Sequence, residues 1–203
     1  MYSYKSMKQQ YLDLLETAKL RENYSEKKST LYKKIRTSMA LYGAAESVSG
    51  VPARLIIAIH SKESSSNFNC NLHNGQPLNM VTTIVPKGRG PFKTWGESAI
   101  DALKMKQRLI DTILDDDGKV WTNKAMLWFA EAWNGFGYRK HGINSPYLWA
   151  GTTAYEKGGY SRDGDFDHFH VVKNIGIAPL ITNMEMEMEF NTGVNFVEDF
   201  DDA

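Results

Sequence analysis

The run Leu55-Ile56-Ile57-Ala58-Ile59, with Pro52 before it and Ser64-Ser65-Ser66 after it, sets the terms for the whole chain. Proline in a first helical turn forfeits no hydrogen bond, and Leu55, Ile56 and Ile59 recur at helical spacing, so the pattern predicts a helix with a core face opening near Val51. The three serines compete for backbone hydrogen bonds and end it. The one acid between Val51 and Leu78, Glu63, falls in that last turn. Negative charge at a helix C-terminus opposes the macrodipole, and burial against the preceding apolar turns disfavours ionisation, so both effects push the carboxyl pKa upward. A glutamic acid that keeps its proton near neutral pH suits general acid catalysis, in which it protonates a leaving oxygen. On position alone, a solvated surface glutamate is the simpler account.

The flanking residues favour the catalytic account. Glu63-Ser64-Ser65 followed by Asn67-Phe68 resembles the Glu-Ser and Phe signature of lytic transglycosylases and goose-type lysozymes. The longer string from His60 to Asn69, continued by Leu72-His73-Asn74-Gly75, resembles a family of phage and bacterial lysozyme-like peptidoglycan hydrolases. Val81 to Arg89 is similar to that family's T-x-x-V-P-x-G-R segment, and Trp95 to Leu103 to its W-x-E-S-A-x-D-A-L run. Ala132-Trp133-Asn134-Gly135 resembles the Ala-Tyr-Asn motif of lytic transglycosylases, with Trp in place of Tyr. Asn134 to Arg139, Ser145 to Trp149, and Gly159-Tyr160 with Asp163-Gly164 are similar to further family segments.

Across residues 51–165 the resemblance implies a mainly α (α+β), lysozyme-like fold with a short β strand or hairpin after the helix that carries Glu63. It implies a peptidoglycan hydrolase, an endolysin or virion-associated lysozyme, that cleaves the β-1,4 bond between N-acetylmuramic acid and N-acetylglucosamine without a metal or other cofactor. Glu63 is then the catalytic acid, and the turn at Trp133 and Asn134 faces it across a sugar groove. His60, His73, Asn74, Gln76, Tyr138 and Tyr147 join Trp133 and Asn134 as expected substrate contacts. Physically, an amide and an aromatic ring at a glycine-rich turn can bond an acetamido group and stack on a pyranose face.

The partner of Glu63 is where this chain departs from the family, which carries Asp after the Asn-Gly pair where Gln76 stands here. An amide cannot deprotonate water. Thr82 or Thr83 could position the water instead, and Glu131 or Asp101 could supply a second carboxylate. Alternatively Glu63 acts alone, first as acid and then as base on the muramyl 6-hydroxyl, giving the 1,6-anhydro product of a lytic transglycosylase. Two other classes stay open: a structural virion or tail protein that keeps a glycan-binding domain, and a zinc peptidase using His60, Glu63 and His73. No HExxH spacing supports the second.

Length and charge bound the rest. With 203 residues the chain holds one substantial domain, divided here into N-terminal helices packed on the core (1–50), a catalytic core (51–167) and an acidic C-terminal extension (168–203). A lone cysteine, Cys70, rules out an internal disulfide and points to a reducing compartment. The opening MYSYKSMKQQYL has no apolar signal core and no aliphatic run is long enough to span a bilayer. The expectation is synthesis in a host cytoplasm without a signal peptide and access to the wall by holin-type release or within a virion. Residues 1–162 hold 23 basic and 14 acidic side chains, residues 163–203 hold 1 and 10, so a body of +9 carries a tail of −9. Such a body is drawn to anionic envelope polymers as well as to peptidoglycan. No nucleic-acid-binding motif accompanies it.

Along the chain, helices are predicted from Ser3 to Arg21, and from Ser25 through Leu31, Ile35, Met39 and Tyr42. Val81 to Val85 reads as a strand. Thr94 with Glu97 forms a capping box for a helix that runs on to Asp115-Asp116-Asp117, and Lys124 to Asn134 forms another helix. Asp163 to Asp167 mimics the start of a calcium loop but lacks its glycine, and Met184 to Phe190 alternates like a strand.

Overall fold

A computed structural model describes residues 2–162 and 164–182. The Met184–Phe190 alternation, the acidic C-terminal residues and Asp163 lie outside the described residues. The described chain is mainly helical, with one small antiparallel sheet.

Two buried helices form its centre. In α4 (Ala53–Ser64), Leu55 to His60 are buried without interruption, so the helix is wrapped on every side rather than along one stripe. In α7 (Asn123–Asn134), Ala125 to Ala130 are buried likewise, after a start at Thr122, whose hydroxyl accepts the Ala125 N–H. α1 (Tyr4–Thr17) lies along α7 and sinks Tyr4, Met7 and Tyr11. The second predicted helix is two: α2 (Ser25–Ile35) and α3 (Met39–Ser49), separated by a 3-10 turn at Arg36–Ser38. α3 packs on α4 and ends at Gly50, whose φ of 69° is the left-handed conformation that glycine adopts without strain.

α5 (Trp95–Lys104) opens with the predicted capping box: the Thr94 hydroxyl accepts the Glu97 N–H at 3.2 Å, and the Glu97 carboxylate accepts the Lys93 N–H at 2.8 Å. The helix predicted to continue to Asp117 breaks after Lys104. The Lys106 N–H turns back to Leu103 O at 2.9 Å, and the redirected α6 (Gln107–Asp116) brings Ile110 and Ile113 into the core. α8 (Pro146–Trp149) follows a 3-10 turn at Gly137–His141.

Two expectations are corrected here. The strand predicted at Val81–Val85 is irregular, and the described sheet, β1 (Gly159–Arg162) with β2 (Asp165–Asp167), comes far later in the chain. Thr82 is the reason: its hydroxyl donates to Pro86 O at 2.6 Å and accepts the Arg89 N–H at 2.9 Å, while its own N–H donates to Arg89 O. The segment closes on itself and leaves Val85 81% exposed. The extension placed at 168–203 also begins too early. Ile175, Ile177, Leu180 and Ile181 are buried, and α9 (Ala178–Ile181) packs on α4. Gly176 permits this, because a Cβ there would stand 2.2 Å from Leu148 O.

His60 is wholly buried, with Nδ1 2.9 Å from the Tyr42 hydroxyl and Nε2 3.2 Å from Asn67 O. Burial lowers its pKa to about 4. A folded pKa below the unfolded one makes stability full above about pH 6.5 and has it lost as pH falls towards 4. NMR titration is expected to keep this ring neutral to about pH 4, with an acid loss on the order of 3 kcal/mol traceable to it.

Candidate active site

The last turn of α4 is where the wrapping stops. Ser65 takes the left-handed conformation (φ 54°), its N–H closing on Ser61 O at 3.1 Å while the Ser66 N–H reaches His60 O at 3.1 Å. These bonds satisfy the closing carbonyls and hold Glu63 at the rim of a cleft of about 520 Å³. The Tyr147 hydroxyl donates to Glu63 Oε1 at 2.8 Å, and the Trp133 side chain donates a second hydrogen bond. Burial raises the Glu63 pKa. The hydrogen bonds from Tyr147 and Trp133 and the charges of Lys62 and Lys106 oppose the rise without cancelling it.

The cleft collects the C-terminal ends of three helices: Glu63 from α4, Ala102, Met105 and Lys106 from the end of α5, Trp133 and Asn134 from α7. Its remaining wall is His73, Asn74 and the Ile84-Val85-Pro86 segment. A second cleft of about 620 Å³ shares Asn134 and runs past Tyr138 to Tyr160 and Arg162. Of the residues expected at the site, Glu63, His73, Asn74, Trp133 and Asn134 therefore meet in one cleft, and Tyr138 lines its continuation.

The others are elsewhere. His60 faces Tyr42 and Asn67 inside the core, which removes it both as a sugar contact and from a zinc set with Glu63 and His73. Gln76 braces the wall from behind: its Oε1 accepts the N–H groups of Thr83 and Ile84 at 2.9 and 3.2 Å, and its Nε2 donates to Thr83 Oγ1. Thr82 is buried in the loop closure described above, and neither it nor Thr83 lines the cleft. Tyr147 is buried beneath the acid and serves it, not a sugar. Asp101 is held by Arg89 and by His73 Nε2, the latter at 2.7 Å.

Glu131 is the clearest correction. It is 1% exposed, both oxygens take Arg139 (2.8 and 2.7 Å), and the Tyr11 hydroxyl donates to Oε2 at 2.6 Å. It locks α1 and the turn after α7 together, which is a structural office. Lys106 is the functional candidate that sequence reading missed; its signal was a basic residue at a helix break, which has no meaning until the break is placed. No protein-family model, curated protein or solved structure matches this chain.

Gly75 adopts φ 74°, and a Cβ on it would fall 2.2 Å from the carbonyl oxygen of Glu63. Gly75→Ala is expected to cost about 1–3 kcal/mol in urea unfolding and to displace the acid. Glu131→Ala, which strands Arg139 in the interior, is expected to cost about 3–5 kcal/mol and to show as a fall in thermal midpoint, not as a purely catalytic defect.

Proposed function

We propose that the protein is a lysozyme-like peptidoglycan hydrolase, an endolysin or virion-associated enzyme, that cleaves the β-1,4 bond between N-acetylmuramic acid and N-acetylglucosamine. The observation that carries this is the state of Glu63: a carboxyl raised in pKa by burial, held by two aromatic donors, and the one carboxylate among the described residues that line the cleft. Trp133 and Asn134 supply an aromatic face and an amide at the same cleft, which suits an N-acetylated sugar. The family resemblance of the surrounding segments points the same way.

With Thr82, Asp101 and Glu131 engaged elsewhere, the lytic transglycosylase course is the better supported one. The Glu63 proton passes to the glycosidic oxygen as the C1–O bond breaks. The resulting carboxylate then takes the proton of the muramyl 6-hydroxyl as O6 bonds to C1, restoring the acid without consuming water. Delivery to the wall follows release from a host cytoplasm or carriage in a virion.

Glu63→Gln is expected to lower lysis of purified peptidoglycan by roughly 10²–10⁴-fold. Binding without clearing by the wild type would instead mark a structural glycan-binding protein. Mass spectrometry of the digest distinguishes anhydro-muramyl ends from reducing ends. The pH dependence has a definite sign. A folded pKa above the unfolded one means that stability is lost as pH rises through the folded value, and the acid form needed for cleavage is lost with it. Wild-type activity should therefore fall on the alkaline side, while Glu63→Gln matches or exceeds the wild-type thermal midpoint there.

A further inference from the structure

Three ionisable side chains are found among the described residues lining the cleft: Glu63, His73 and Lys106. His73 is fixed by its Nε2 contact with Asp101 and stacks on Phe92 at 5.5 Å, and burial lowers its pKa, which keeps the ring neutral. Glu63 must be protonated to act as an acid. The formal charge left in the cleft in its working state is the ammonium of Lys106.

That ammonium is not a free surface group. Lys106 is half-buried just past the end of α5, and its Nζ lies 5.4 Å from the centre of the Trp133 ring, the same ring that bonds Glu63. The indole face holds the cation at the cleft wall without neutralising it. Burial lowers the Lys106 pKa, the Glu63 carboxylate opposes that shift, and that partner is lost whenever the acid carries its proton. A partly desolvated cation without an anion is costly, and a ligand carboxylate is the complement that offsets the cost.

We infer that Lys106 is the specificity-determining cation of the cleft, binding the free lactyl carboxylate of an N-acetylmuramic acid residue that carries no stem peptide, and so separating such stretches of glycan from neutral chitin and from strands whose lactyl groups are amide-linked to peptide. The inference rests on the glycan-cleavage reading above and adds the residue that distinguishes a free muramyl acid from its amide. Asn134 and Trp133 can meet an acetamido group and a sugar face in either polymer, whereas the ammonium rewards only the one that carries a negative charge.

The test uses the full chain in a Glu63→Gln background, which stops turnover, and measures binding by calorimetry at fixed moderate salt. The probes are a peptide-free tetrasaccharide of alternating N-acetylglucosamine and N-acetylmuramic acid, and the same tetrasaccharide with its lactyl carboxylates converted to methylamides. The carboxylate form is expected to bind about tenfold more tightly, the preference to fall to about one in Lys106→Gln, and Lys106→Arg to keep most of it. A purely structural role for Lys106 at the end of α5 would weaken both ligands alike. That result, or a preference that survives Lys106→Gln, overturns the inference while leaving the glycan reading intact. Failure of both probes to bind the Glu63→Gln protein would overturn both.

Discussion

Everything at the site depends on α4 being buried on all sides. Leu55, Ile56, Ile57 and Ile59 are each fully buried, and each contributes roughly 1.5–3 kcal/mol relative to exposure. Against that sum, the cost of holding one carboxyl in its neutral form is small. The helix can therefore carry an acid to a position that a half-exposed helix would not tolerate. α5 and α7 also end at this place, so a negative charge on Glu63 stands near helix C-termini, which disfavour it as burial does. Lys106 and the donors from Tyr147 and Trp133 moderate that opposition, which leaves the pKa raised and the group still able to ionise.

The chain contains a second buried glutamate that serves as an internal contrast. Glu131 is more deeply buried than Glu63, yet a bidentate guanidinium and a tyrosine hydroxyl occupy its oxygens. Its charge is spent on joining α1 to the turn that follows α7, so the helix that brings Trp133 and Asn134 to the cleft is anchored one turn earlier by an ion pair. Glu63 meets aromatic donors that bond it in either protonation state and cations that stand off from it. Two carboxyls of one chemical type thus take opposite roles, and the difference lies in whether a guanidinium reaches them.

Much of this was legible in the sequence. The position of Glu63 in a last turn followed by serines, the Thr94–Glu97 cap, and the stop of α7 at Asn134-Gly135 are local properties, decided by residues within one or two turns. The roles of Glu131, Gln76 and His60 were not legible, because each is settled by a partner far away in the chain or on a neighbouring loop: Arg139 and Tyr11, the Thr83 backbone, and Tyr42 with Asn67. The strand reading of Val81–Val85 failed for a related reason. β-branched residues favour a strand only where a partner strand accepts their backbone, and here a threonine hydroxyl took that place.

The same loop bears on the chemistry. A segment of regular strand would point alternate side chains into the cleft and offer its hydroxyls there. The closure through Thr82 turns the hydroxyl inward and presents Ile84, Val85 and Pro86 to the cleft instead. Gln76 braces this apolar wall by bonding the backbone of Thr83 and Ile84 and does not line the cleft itself. An apolar wall opposite a single acid gives an external water little to bond to, while a hydroxyl already attached to the bound sugar needs no such help. On the proposed reaction, this apolar wall is the physical reason that the intramolecular nucleophile gains over solvent.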